Sequence, residues 1–318
     1  MNKINTFVIP IIRSDFISNC LETMHKNTPD NFYVIVIDQT PNNKAYFENH
    51  FKTHLWIRSY RNLGFSKAMN TGIKLAQTEY ITLCNDDVEF LDTRWWQGIV
   101  DTFQQDHHIL AVNPMSPKEG AWGYGLRDDN KNTWIPPEHY TRNLEDTTAI
   151  IPVWKNGMAF TKADAQTQEG YDFLVNNHPR YRKDTMVDAI AGWMPIYKKT
   201  AFEKLGLLDE KFYPGGGEDY DMNCRAYSCA YPQPREECNN EYHYRMVSTS
   251  KSWVWHFGGK SKDAISAKDP DNKLFSSRER WNNNAQLWGE KFDVWGHEHI
   301  GDKKKPLVRI SSPFIDEL

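Results

Sequence analysis

Residues 80–87 read Tyr80-Ile81-Thr82-Leu83-Cys84-Asn85-Asp86-Asp87, an apolar run of strand length that stops abruptly at three polar residues. Two earlier runs have the same form. Phe7-Val8-Ile9-Pro10-Ile11-Ile12 leads into Arg13, and Tyr33-Val34-Ile35-Val36-Ile37 ends at Asp38 in a turn-rich segment. His54 to Tyr60 gives a weaker third strand. Between these lie helical patterns. Ser14-Asp15 carries an N-cap signal for a helix to about Lys26, and Gly64 to Gln77 places Met69, Ile73 and Ala76 on one helical face. A β-α-β-α-β alternation calls for a mostly parallel sheet with helices on both faces. Ligands collect at the carboxyl ends of the strands in such sheets. Asp38 and Asp86-Asp87 should therefore line one crevice.

From about Met115 to Lys183 the pattern breaks down into Pro, Gly, Asn, Asp and aromatic residues, with one apolar run at Ala149–Trp154. A loop region of this length in a compact domain is functional or disordered more often than not. Regularity returns at Met186–Met194, a strand candidate, followed by a helix from Lys199 to Leu205 and the turn Tyr213-Pro214-Gly215-Gly216-Gly217. Glu218 to Ala230 reads as a helix, Ser252 to Phe257 as a last short strand, and Asp271 to Gly289 as a final helix. No internal repeat is visible.

Composition bounds the function classes. The 318 residues suffice for one large domain or two small ones. A hydrophobic fraction of 39 % and a mean hydropathy of −0.72 belong to a polar, enzyme-like chain, with no apolar stretch long enough to span a bilayer. The N-terminus lacks the pattern of a signal peptide, so the expected location is cytoplasmic. A net charge of −4 disfavours a protein built to hold nucleic acid, and Lys303-Lys304-Lys305 reads first as a solvated tail. Five cysteines suit reduced thiols, and the spacing of Cys224, Cys229, Cys238 and His243 matches no compact zinc knuckle. Aromatic residues make up 14 %, including Trp122, Tyr124, Trp134, Tyr140, Trp154 and Tyr171 outside the core strand patterns. Such rings pack against sugars, and equally mark interfaces.

Three groups of chemistry-bearing residues sit at the ends of regular elements. Asp86-Asp87 suits a turn or cap, or a hard-oxygen site that holds Mg²⁺ or Mn²⁺ against two phosphates. Glu218-Asp219 is favoured by the helix dipole in any case, but the three preceding glycines imply a sharp bend or a close approach to a ligand. An Asp held there could serve as general base towards a hydroxyl. His256 ends the run Trp253-Val254-Trp255 and suits a packed core position. The Gly258-Gly259-Lys260-Ser261 that follows could approach phosphates, although it is too short for a P-loop.

The segment Arg61-Asn62-Leu63-Gly64-Phe65-Ser66-Lys67-Ala68-Met69-Asn70-Thr71-Gly72-Ile73, with Tyr80-Ile81 and Asn85-Asp86-Asp87-Val88, resembles the family 2 glycosyltransferases. The likeness is to rhamnosyltransferase-like bacterial and viral members with a GT-A fold. Gly192, Phe202–Gly206, Leu208–Phe212, Glu218-Asp219-Tyr220-Asp221 and Trp255-His256-Phe257-Gly258-Gly259-Lys260-Ser261 follow in the family's order. The resemblance implies a GT-A (Rossmann-like) α/β fold over residues 1–261, with a nucleotide-sugar half at 1–114 and an acceptor half at 115–261. The latter contains the insertion 115–185, and a C-terminal helix and tail occupy 262–318. It also implies roles. Asp38 would contact base or ribose. Pro10, Arg13, Asn62, Gly64, Asn70, Asn85, Asp86 and Lys260 would serve the nucleotide-sugar site. Asp87 would hold Mn²⁺ or Mg²⁺, and His256 would complete that metal site or touch the diphosphate. Asp219 would be the base, beside Glu218, and Gly192 and Trp193 would meet the acceptor. The resemblance does not cover 115–185; from its position between the two motif halves this aromatic segment, with Trp122 and Tyr124, is expected to bind the acceptor and act as a lid. The first strand keeps only Arg13 of the family's Thr-Tyr-Asn-Arg ending, and Asn85 replaces the first Asp of the strict metal motif.

The expected function is an inverting, metal-assisted transfer of a sugar from a nucleoside-diphosphate sugar to a hydroxyl of a glycan, a lipid-linked acceptor or another acceptor. Rival readings are a nucleotidyltransferase, a non-catalytic carbohydrate-binding relative, and a glycosyltransferase acting on modified DNA bases.

Overall fold

The computed structural model describes residues 4–29, 31–117, 140–143, 146–152, 158–177, 184, 186–187, 190–230, 244–258 and 287. In chain order the elements are β1 (Asn5–Ile11), α1 (Ile17–Asn27), β2 (Phe32–Asp38), α2 (Lys44–Asn49), a 3₁₀ turn (His50–Lys52), β3 (Leu55–Arg58), α3 (Phe65–Leu75), β4 (Tyr80–Leu83), β5 (Val88–Phe90) and α4 (Trp95–Gln105). There follow β6 (Ile109–Met115), β7 (Tyr140–Asn143), β8 (Asp146–Pro152), α5 (Lys162–Ala165), α6 (Gln168–Asn177), β9 (Met186–Val187), β10 (Ile196–Lys198), α7 (Lys199–Leu205), α8 (Glu218–Ala230) and β11 (Arg245–His256).

The sheet runs β3-β2-β1-β4-β10-β6-β11-β5, with β9 paired to β11 at the side. Its first four strands are parallel, as the β-α-β alternation requires. Beyond β4 it is mixed: β10 lies antiparallel to both β4 and β6, and β11 runs parallel to β6 and antiparallel to β5. The pleat sorts β1 between two cores. Phe7, Ile9 and Ile11 pack with α1, Phe90 and Trp95 on one face, while Val8 joins Ala68, Met69, Ile73 and Tyr197 on the other. A third cluster, Phe160, Tyr171, Leu174, Trp253 and Trp255, buries α5 and α6 against β11. Among the described residues no helix is long and apolar enough to cross a membrane.

Several expectations are corrected. The apolar run Met186–Met194 is not one strand. Among its described residues Met186–Val187 is a strand, 190–194 are not, and the next strand is β10. Ile190, Ala191, Trp193 and Met194 are buried because the segment packs into the cores, and burial on all sides gives the same apolar run as a central strand. Helix α1 starts at Ile17 after Phe16, with no side-chain cap, because Asp15 is turned to Arg13 instead. The region 115–183 contains the β7–β8 hairpin and the helices α5 and α6, and Tyr171 is a core residue rather than an exposed ring. Of the helix expected at 271–289 only residue 287 is described, as helical, and the Cys224–His243 group lies outside the residues whose side chains are described.

Candidate active site

Strand β4 ends at Leu83, and its pairing is prolonged by two backbone bonds, Leu83 N–H to Pro195 O (2.9 Å) and Asn85 N–H to Trp193 O (2.8 Å). Asp86 and Asp87 then make the turn into β5. Strand β11 lies along β5 with Trp255 opposite Glu89 and His256 opposite Val88. That register brings the imidazole to the turn: His256 Nε2 is 3.2 Å from Asp87 Oδ1, and Phe257 N–H donates to Asp87 O at 3.1 Å. Asp86, Asp87 and His256 are only 5 %, 4 % and 5 % exposed.

Two adjacent buried carboxylates are costly unless something compensates their charge. Burial first, then the charge of Asp87, pushes the Asp86 carboxyl well above the usual carboxylate range, with Arg13 pulling it back. Asp86 Oδ2 and Trp193 Nε1 are buried without a hydrogen-bond partner among the described residues. Carboxylate oxygens beside an imidazole form a donor set suited to a divalent cation such as Mn²⁺ or Mg²⁺. The residues present fit such an ion.

The second acidic centre opens α8. Gly215, Gly216 and Gly217 have φ of 151°, 101° and 108°, a backbone open to glycine and strained for other residues. At Gly215 an added Cβ would lie 2.9 Å from Phe65 Cβ. The bend delivers Glu218 and Asp219 to the first helical turn. Gly216 N–H donates to Glu218 Oε2 at 2.5 Å, and Gly192 N–H donates to Asp219 Oδ2 at 2.9 Å. Two residues on, Asp221 forms a buried pair with Arg225 at 2.6 Å, and Arg225 also donates to Leu205 O.

The Gly192-Trp193 turn joins the two centres. Gly192 holds Asp219, the Trp193 carbonyl holds Asn85, and the Trp193 ring stacks on His256 with centroids 5.0 Å apart at 14°.

On the β1–β3 side, Asp38 is fully buried. Its Oδ1 accepts from Thr40 N–H (2.8 Å) and Thr40 Oγ (2.6 Å), and its Oδ2 accepts from Trp56 Nε1 (3.1 Å). Pro10 is half-buried opposite Ile37. Arg13 pairs with Asp15 and lies 5.1 Å from the Phe16 ring centroid. Asn62 Oδ1 accepts from Gly64 N–H at 2.8 Å, and Gly64 turns the chain at φ 77°. The Asn70 side chain is engaged with Leu208 in a reciprocal pair (2.8 and 3.0 Å) and with Glu210, so it holds the approach to the glycine loop. Lys260, Trp122 and Tyr124 lie outside the described residues.

Sequence reading missed the buried Glu89, whose carboxylate is 2.8 Å from Lys162 Nζ, with that ammonium 5.3 Å from the Phe257 ring centroid. Glu89 was visible two residues after Asp87, but nothing in the sequence pairs it with a lysine from the irregular region. Ser116, whose Oγ accepts from His256 N–H at 3.2 Å, was equally silent.

The family model described as Glycosyl transferase family 2 matches residues 6–166, about half of the chain. The chain belongs to glycosyl transferase family 2. The match takes in Asp38, Asn62, Gly64, Asn70 and Asn85–Asp87 and ends before Asp219 and His256. No curated protein sequence matches this family 2 member in a direct comparison. Among solved structures it is similar to GalNAc-T7 with UDP, GalNAc and Mn²⁺, at 14 % identity and a TM-score of 0.51, covering 91 % of this chain and 56 % of that one. It is also similar to the mannosyltransferase PcManGT of Pyrobaculum calidifontis in complex with GDP-Man and Mn²⁺ (12 %, TM-score 0.47, 86 % and 63 %). The third is S. aureus TarS 1–349 (13 %, TM-score 0.45, 95 % and 75 %). The GalNAc-T7 likeness establishes a shared GT-A fold, and the chain spans little more than half of that protein's length.

Proposed function

We propose that this chain transfers a sugar from a nucleoside-diphosphate sugar to a hydroxyl acceptor, with metal assistance and inversion at the anomeric carbon. The observation that carries the reading is the convergence, through the Gly192-Trp193 turn, of the Asp86-Asp87-His256 cluster and a tethered Asp219. Membership of family 2 and a fold shared with a protein that holds UDP and Mn²⁺ agree with it.

Residues 1–261 are read as the catalytic unit, 1–114 serving the donor and 115–261 the acceptor, with 115–185 as acceptor-binding region and lid and 262–318 as an appended helix and tail. Asp87 and His256 would ligate Mn²⁺ or Mg²⁺, with Asp86 near the ribose. A divalent ion bound there supplies charge stabilisation to the departing diphosphate. Asp38 fixes the loop that receives base and ribose, and Asn62, through its bond to Gly64, shapes the donor side. Asp219, its carboxylate oriented by Gly192, takes the proton of the acceptor hydroxyl. As it does so, the acceptor oxygen bonds to the anomeric carbon from the face opposite the breaking bond to the diphosphate. Glu218 braces the glycine loop beneath it. Trp122, Tyr124, Gly192 and Trp193, the last by the part of its indole not stacked on His256, are assigned to the acceptor side, and Arg13 and Lys260 to the phosphates.

A screen of UDP-, dTDP- and GDP-sugars with Mn²⁺ and with chelator, read as metal-dependent release of nucleoside diphosphate in the presence of hydroxyl acceptors, tests the reading. Release of pyrophosphate in its place would point to nucleotidyl transfer and sink it.

A further inference from the structure

His256 closes β11, and its backbone is fixed on both sides: its own N–H by Ser116 Oγ and the next residue's N–H by Asp87 O. Backbone bonds do not fix a ring plane, because the outer torsion of a histidine is broad. The Trp193 indole is stacked on the ring, with centroids 5.0 Å apart at 14°. Both rings are 5 % exposed, so the stacked face of the indole is closed to an acceptor. Trp193 is itself tied to the acidic turn, since its carbonyl accepts from Asn85 N–H, and its neighbour Gly192 is tied to Asp219.

We infer that Trp193 is a positioning residue that holds the His256 imidazole with Nε2 towards Asp87 Oδ1, so that the pair can share a divalent cation. The inference rests on the metal site proposed above. It assigns to the indole face a task other than acceptor contact. A metal-ligating histidine depends on the orientation of its ring, and loss of a hydrogen-bonding partner that orients it costs about 10–100-fold in metal affinity or activity, the scale taken here for the stacked indole. A flat aromatic wall provides that orientation. A branched aliphatic side chain does not.

The test uses the full-length protein and Mn²⁺ alone, with bound ion measured from the electron paramagnetic resonance of the free aquo ion and folding followed by circular dichroism. His256→Ala should weaken Mn²⁺ binding. Trp193→Leu should weaken it by about tenfold or more, and Trp193→Phe, which keeps a flat face, should bind close to wild type. In the His256→Ala background Trp193→Leu should add nothing, which a general loosening of the site would not reproduce. If Trp193→Leu does not fold, Trp193→Met takes its place as the unbranched, non-planar variant. Wild-type affinity in the Leu or Met variant, equal weakening by Phe, or the same loss with and without His256 would each overturn the inference. If His256→Ala itself binds Mn²⁺ like wild type, the metal-site reading fails and this inference falls with it.

Discussion

His256 Nε2 lies 3.2 Å from Asp87 Oδ1, a contact made by the register of β11 on β5 between residues far apart in sequence. The pair leaves a buried site rich in carboxylate beside one imidazole, whose charge a divalent cation would balance. Saturating Mn²⁺ is expected to raise the melting temperature, because an ion that binds only the native state stabilises it by mass action, by about 2.7 kcal/mol at a hundredfold excess over Kd. Differential scanning calorimetry checks this. The rise should vanish in Asp87→Ala.

Asp219 has its carboxylate held by the Gly192 amide, and the general base proposed for it would contribute roughly 10²–10⁴-fold to the chemical step. Asp219→Asn should lower kcat within that range while leaving the donor KM close to wild type. Steady-state kinetics on the donor found by screening decide it. A change confined to KM would remove Asp219 from the role of base.

Asp221 belongs to the same acidic run but should fail differently. Its partner Arg225 is almost fully buried, and removing one member of such a pair leaves a charge uncompensated, at a cost of about 3–5 kcal/mol. Asp221→Ala should therefore show a large loss in urea or thermal unfolding. Whatever protein remains folded should keep its metal-dependent donor binding.

Gly64 stands where the 61–63 turn meets the glycine loop. Its φ is 77°, and an added Cβ would lie 2.7 Å from Tyr213 Cδ2, beside the bond from Phe65 N–H to Pro214 O at 2.8 Å. Gly64→Ala should cost about 1–3 kcal/mol from backbone strain, with further loss if Tyr213 cannot move aside. Chemical denaturation measures it. Stability equal to wild type would show that the two loops are not mechanically joined there.

What the sequence made legible follows from local rules. Strands β1, β2, β3 and β4 were readable because each is a short apolar run bounded by polar turns, and their parallel order followed from the intervening helices. The acidic residues were readable because they stand at element ends. The part that escaped depends on long-range pairing. Nothing local says that β10 inserts antiparallel between β4 and β6, or that an apolar run broken by Gly192 forms a buried turn rather than a strand. Asn70 shows the same limit. Its place in the Arg61–Ile73 segment was visible, but only the fold shows its amide spent on Leu208 and Glu210.

In the proposed function Asp87 and His256, beside Asp86, hold a divalent ion on which donor binding depends. Isothermal titration of UDP, dTDP and GDP into the wild-type protein, Asp87→Ala and Asp219→Asn, with Mn²⁺ and with chelator, tests it most directly. One nucleoside diphosphate should bind wild type and Asp219→Asn alike in Mn²⁺, and should bind neither Asp87→Ala nor the chelated protein. Binding that survives both chelation and Asp87→Ala would contradict it.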